Sequence, residues 1–213
     1  MHAIVPALTA EPNNVSPAYL WFDSEYTSLE PRDARLLQVS LLITDPRLQR
    51  LTAPARDVNL YVRLEADAPI SAWVAEHLPD LVRRCRSPEA VPVAEADARL
   101  AALVDEAVGP PSEDVRKRPV LAGNTVHMDL GLIRQFLPEF ARRLHYRLLD
   151  VSTLKILWND AALGPAFEKK DAERVRRHLP PGFELPPAGK HDACYDLHAS
   201  IAEFNCYRQR LIP

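Results

Sequence analysis

Residues 18–27 read Ala18-Tyr19-Leu20-Trp21-Phe22-Asp23-Ser24-Glu25-Tyr26-Thr27 (AYLWFDSEYT). Aromatic residues, Leu and Thr dominate the stretch, a composition that suits the pleated, half-buried surface of a β-strand. Two further runs of the same kind follow, ARLLQVSLLITD at 34–45 and DVNLYVRL at 57–64, set apart by turn-forming Pro, Asp and Arg clusters. Helical spacing then takes over at roughly 70–86 and 93–108. Beyond the Pro-rich loop VGPPSEDVRKRP come a short strand, VLAG (120–123), a helix through 128–144, a second short strand at 146–150 and a helix opening at Ser152. A long Pro-rich stretch runs on to Lys190, and the chain closes with a helix carrying Ala193, Leu197, Ile201 and Phe204 at helical spacing. Strands first, then alternating helices and short strands, predict an α/β fold in which a mixed β-sheet is flanked by helices. With no internal repeat and no linker, residues 18–213 read as a single domain, preceded by an aperiodic, flexible leader at 1–17.

Composition narrows the function. The 213 residues are 47% hydrophobic and 26% charged, ordinary for a globular chain with a substantial core. A net charge of -3 provides no global basic field for gripping long nucleic acid, and permits a short substrate held in a pocket. Three cysteines with no CxxC pair point to a reduced intracellular protein, without a disulfide framework or a zinc site. The first Lys or Arg is Arg32, so no signal or transit peptide is expected, and no apolar run reaches the ~20 residues that a membrane helix needs. The expected location is the cytoplasm.

The opening strand carries two carboxylates. Alternate side chains share one face, so Asp23 and Glu25 point the same way, about 6–7 Å apart. Like charges at that spacing repel, and burial sharpens the repulsion. A divalent cation between them reverses the sign, and such oxygen-rich sites suit Mg²⁺ or Mn²⁺. A polar strand edge facing solvent explains an isolated Asp-x-Glu equally well. Asp129, in LAGNTVHMDLGLIRQF, sits near a helix start, where the dipole alone favours a carboxylate. In KHDACYDLHASIAEF, His191 lies at the mouth of the last helix and Asp196 over a turn inside it, while Asp192 fits a helix cap. The ordered set Asp23-x-Glu25, Asp129, His191-x4-Asp196 is far more specific than its parts.

With that set the sequence resembles oligoribonuclease, within the DEDDh superfamily of 3′→5′ exonucleases. The resemblance runs from about Tyr19 to Leu211 and is strongest in LAGNTVHMDLGLIRQFLPEFARRLHYRLLDVSTLK and in the closing HDACYDLHASIAEFNCYRQRLI. It implies an RNase H-like sheet, a metal-dependent 3′→5′ exoribonuclease acting on dinucleotides and other short RNA, and a homodimer. Two divalent cations, Mg²⁺ or Mn²⁺, would be held by Asp23, Glu25, Asp129 and Asp196, with His191 as general base. The resemblance also makes Leu29 a wedge between two bases and Trp73 a stacking aromatic near them. His77 is a candidate phosphate-cap residue, and Thr125 and Ser152 fall where family hydroxyls contact a phosphate. Tyr146 and Arg147 match residues that reach into the neighbouring subunit's site, where an arginine fork can bind a 5′-phosphate. Core packing also explains a tryptophan at 73, and a surface ion pair an arginine at 147.

Against the family pattern, Ser28 stands where Gly is usual and Gln38 where Glu is usual. The Pro-rich, charged inserted segment at about 160–189 is longer than the usual connection, which suggests a lid or an added dimer contact. The alternatives are a DEDDh exonuclease that trims longer RNA or DNA ends and a non-catalytic interaction module on the same fold. No acidic ligand is lost, which disfavours the second.

Overall fold

A computed structural model describes residues 17–30, 32–187, 189 and 191–211, so all but Pro17 of the leader lies outside the described residues. Five strands form one mixed sheet: β1 (Tyr19–Tyr26), β2 (Leu36–Thr44), β3 (Val58–Tyr61), β4 (Val120–Gly123) and β5 (Leu148–Asp150), in the spatial order β3-β2-β1-β4-β5. β1 pairs antiparallel with β2 and parallel with β4; β3 adds antiparallel to β2 and β5 parallel to β4. The helices are α1 (Ala72–His77), α2 (Pro79–Cys85), α3 (Val93–Val108), α4 (Val126–Phe136), α5 (Pro138–Ala141), α6 (Val151–Asp160), α7 (Ala172–His178) and α8 (Ala193–Leu211).

Both sheet faces are covered, which is why β1 reads as an almost unbroken apolar run before Asp23. Leu20 and Phe22 pack with Leu100, Ile133 and Phe140 on the side of α3–α5. Trp21 packs on the other side with Trp158, Phe167, Val175 and Tyr207, from α6 through α8. Asp23 and Glu25 continue the Trp21 row, and so face α8.

Two expected helices are each broken in two. The pattern over 70–86 divides at Leu78, and that over 128–144 divides at Leu137, each the residue before a proline. Steric clash with the proline ring excludes the α region there, and both leucines leave it (φ -124°, ψ 38° and φ -127°, ψ 59°). Proline then starts the next helix, where its missing N–H is no loss. Asp97 of α3 supplies the cap that α5 lacks, accepting from Glu139 N at 2.9 Å and Phe140 N at 2.8 Å.

The third strand stops at Tyr61 rather than reaching residue 64: Val62 N still donates to the Leu37 carbonyl (2.8 Å), but Arg63 N and Leu64 N donate to the Val91 and Cys85 carbonyls instead of to β2 (2.8 and 2.9 Å). The 160–189 segment, read from the sequence only as a Pro-rich, charged insertion, contains α7. Asp171 caps this helix at Glu173 N and Arg174 N, and Val175 is buried against the α8 layer.

Two devices set the sheet's open end. A Cβ on Gly123 would stand 2.7 Å from the Phe22 carbonyl, so only glycine lets β4 approach β1 this closely. Just beyond it, Asn124 Nδ2 donates to the fully buried Glu203 of α8 (2.8 Å), which also accepts from Tyr207 (2.7 Å) and pairs with Lys155 (3.6 Å). The start of α4 is thereby tied to α6 and α8.

Candidate active site

Parallel pairing of β1 with β4 ends at Trp21–Ala122, so the sheet is open on that side just before Asp23. Asp23, Glu25, His191 and Asp196 line one cavity of about 560 Å³ at this opening, together with Leu29 and Trp73. Asp129 joins them from the far side of β1. Ser24 alternates with its acidic neighbours and points toward α4, where its hydroxyl donates to Asp129 Oδ1 at 2.6 Å. Strict alternation along β1 marks Ser24 as the residue facing α4, a signal the sequence itself carries.

The histidine end is built by α8. Asp192 caps the helix, its Oδ1 accepting from Cys194 N and Tyr195 N, both at 3.1 Å. Asp196, in the first turn, accepts the backbone N–H of His191 at Oδ2 (2.8 Å). His191 holds a left-handed backbone (φ 67°), uncommon for a non-glycine residue and a conformation that clusters at functional sites. Its ring meets Trp73 edge-on at 5.1 Å. Ligand atoms of Glu25, His191 and Asp196 all lie within 4.8 Å of one another.

The electrostatics are those of an acid cluster short of positive charge. Burial, then the carboxylates of Asp129, Asp196 and Glu25, push Asp23 well above the usual range. Burial also pushes Asp129 up to about 7, against the opposing pull of the Ser24 hydrogen bond. Hard divalent cations prefer oxygen donors, and a set of carboxylates that penalise their own ionisation fits such ions. Asp23, Glu25, Asp129 and Asp196 are the carboxylates at this edge that could hold such ions.

Lys169, to which no sequence pattern pointed, brings a positive charge to this edge from the 160–189 segment. Its Nζ donates to Ser200 Oγ (2.9 Å), which donates to the Asp196 carbonyl (2.8 Å). The ammonium works against the upward push on Asp23.

Leu29 is 74% exposed and Trp73 45% exposed, which removes core packing as the reason for a tryptophan at 73. His77 lies behind Trp73, stacked on it at 4.7 Å, with Nδ1 2.9 Å from the Trp73 carbonyl, and does not line the cavity. Ser28 Oγ accepts from Glu30 N at 3.1 Å, so a hydroxyl turn stands where glycine was usual. Thr125 and Ser152 form a separate pair, their hydroxyls 3.1 Å apart, with Thr125 N donating to both Ser152 Oγ and Asp150. Tyr146 and Arg147 are exposed outside the cavity, the guanidinium 5.4 Å over the phenol ring.

Residues 20–204 match a family model described as Exonuclease. An oligoribonuclease of Azoarcus sp. (strain BH72) is 30% identical, with 96% of this chain and 98% of that protein aligned. The oligoribonuclease of Colwellia psychrerythraea (strain 34H) is also 30% identical, over 89% of this chain and 93% of its own. Among solved structures, zinc-bound E. coli exonuclease I in complex with single-stranded DNA superposes on 92% of this chain with a TM-score of 0.59. At 17% identity that likeness speaks for the fold, and this chain spans only 41% of that one.

Proposed function

This chain belongs to the exonuclease family, among the oligoribonucleases of the DEDDh superfamily, and on that premise we propose that it hydrolyses dinucleotides and other short RNA from the 3′ end to nucleoside 5′-monophosphates. The observation that carries this reading is the convergence of carboxylates and His191 in one cavity beside an exposed Trp73 and Leu29. Exonucleases of this family work with divalent metals; Mg²⁺ or Mn²⁺ ions, two of them on our reading, supply charge stabilisation at the phosphate and activation of water. Asp23, Glu25, Asp129 and Asp196 would hold those ions, and His191 would take the proton of the attacking water.

Trp73 offers a π face that any base can stack on, and Leu29 separates two neighbouring bases. Hydrolysis of a 5′-phosphorylated RNA two-mer with Mn²⁺ or Mg²⁺ is expected, abolished by chelator and faster than on a twenty-mer of the same end sequence. Turnover that persists in chelator rejects metal dependence. Equal rates on both lengths reject the preference for short RNA and favour a trimming exonuclease.

The domain reading (one exonuclease domain at 18–213) and the cytoplasmic location belong to the same proposal. Among the described residues no helix is long and apolar enough to cross a membrane. We read the working unit as a homodimer, supported by the exposed Tyr146, Ile156 and Leu157. Across that interface Tyr146 and Arg147 cap the partner's substrate, and Thr125 and Ser152 contact its phosphate. Arg147→Ala is then expected to slow two-mers bearing a 5′-phosphate about tenfold more than unphosphorylated ones, the worth of a charge-assisted hydrogen bond. Steady-state rates on the two substrates check this, and an equal loss on both removes Arg147 from the cap.

A further inference from the structure

Gln38 lies on β2, directly opposite Glu25 in the β1–β2 register, and is 1% exposed. Every part of its amide is used. Nε2 donates to Asp192 Oδ2 at 3.1 Å and to Asn59 Oδ1 at 2.9 Å, while Oε1 accepts from Ala193 N at 3.2 Å. Asn59 Oδ1 also accepts from Ser40 Oγ at 3.0 Å, which orients the Asn59 amide with its oxygen toward Gln38. Two of these bonds reach the start of α8, at the residues directly following His191. The Asp192 carboxylate is divided between tasks: Oδ1 caps the helix, and Oδ2 is left for Gln38.

We infer that Gln38 is a positioning residue, whose amide fixes the His191–Asp196 end of α8 on the strand pair that carries Asp23 and Glu25. The inference rests on the exonuclease reading above and adds to it the element that holds the two halves of the acidic cluster in register. The polarity of the amide is essential. A carboxylate at 38 has no proton for Asp192 or Asn59 and faces the Asp192 carboxylate with a like charge. A hydrocarbon at 38 leaves the Ala193 N–H and Asp192 Oδ2 without these partners in a buried place. Either change loosens His191 and Asp196 together relative to Glu25.

Because the contact is a donor–acceptor pair, it can be inverted. In Gln38→Glu combined with Asp192→Asn, the new Asn Nδ2 donates to the new Glu, Ala193 N still donates to position 38, and the Asn oxygen still caps α8. Asn59 satisfies the second glutamate oxygen by turning its amide over.

The test measures kcat and KM on a 5′-phosphorylated RNA two-mer, and Mn²⁺ affinity by calorimetry without RNA, for wild type, Q38E, D192N and Q38E/D192N. Q38E is expected to lower kcat about 100-fold, as small misplacements in active sites do, with KM for RNA little changed. Its Mn²⁺ affinity is expected to fall about tenfold, as when other outer partners of metal ligands are lost. D192N alone, which places two donors face to face, shifts both quantities in the same direction and remains informative if Q38E does not fold. The double variant is expected to exceed both single variants in kcat and in Mn²⁺ affinity. A purely structural role predicts additive losses in the double variant. Wild-type values in either single variant, or a double variant no better than the singles, overturn the inference. A wild-type protein that binds Mn²⁺ but does not cleave the two-mer overturns the exonuclease reading instead, and the calorimetric arm still decides on Gln38.

Discussion

Replacing Asp129 by asparagine is expected to lower two-mer turnover by about a thousandfold, since metal assistance at a phosphate is worth several kcal/mol. The same change should make the metal-free protein more stable near neutral pH. Asparagine keeps the shape of the side chain and an oxygen to accept the Ser24 hydroxyl, so the packing between β1 and α4 is preserved. What it removes is a charge that the fold disfavours. The Asp129 carboxyl is held at about 7 in the folded chain, mainly by burial, whereas an unfolded aspartate titrates near 3.9. A group whose folded pKa is raised supports the fold fully below the unfolded pKa, and that support is lost as pH rises through the folded one. Wild-type protein in chelator is therefore expected to lose stability between about pH 4 and pH 7, by on the order of 1–3 kcal/mol, and the asparagine variant to lose much less. Mn²⁺ should reverse the ranking, because an ion that binds only the folded state stabilises the protein that binds it better. Thermal unfolding from pH 4 to 8, with chelator and with Mn²⁺, checks both signs. Parallel curves for the two proteins in chelator would remove Asp129 from the strained cluster.

The parts of this architecture legible in the sequence are those set by local pattern. β1 and β2 are long apolar runs because helices cover both faces of the sheet, and their observed limits fall within two residues of the expected ones. The breaks at Leu78 and Leu137 were also local information, since each precedes a proline, but helical periodicity on both sides masked them. α7 was hidden among prolines, although Asp171 and Glu173 at its start and Arg176, Arg177 and His178 at its end form a complete set of helix signals.

The acidic set was visible as a candidate because its ordered spacing runs along the chain. Gln38 and Lys169 were not, because their meaning depends on partners far away in sequence. Gln38 meets a carboxylate 154 positions on, and Lys169 a hydroxyl 31 positions on. For His77, too, sequence left the placement open: the helix stacks it behind Trp73, outside the cavity lining.

Replacing His191 by asparagine is expected to lower kcat about a thousandfold while leaving Mn²⁺ affinity within a fewfold of wild type. Asparagine suits the position because it tolerates the left-handed backbone that His191 adopts, so the turn leading into α8 survives and Asp196 keeps its backbone donor. The geometry gives the imidazole two possible roles. A ring nitrogen lies close enough to Glu25 and Asp196 to complete a three-ligand set, and the ring borders the same cavity as Trp73. A ligand and a general base behave differently when removed. Loss of a ligand weakens metal binding and slows turnover together, and excess Mn²⁺ restores the rate. Loss of a base leaves the metal bound, and no concentration of Mn²⁺ restores the rate. On the proposed reading four carboxylates supply an all-oxygen site of the kind Mg²⁺ and Mn²⁺ prefer, which favours the base. Calorimetric Mn²⁺ titration beside kcat measured in excess Mn²⁺ separates the two roles, and a fall in affinity that matches the fall in kcat would make His191 a ligand.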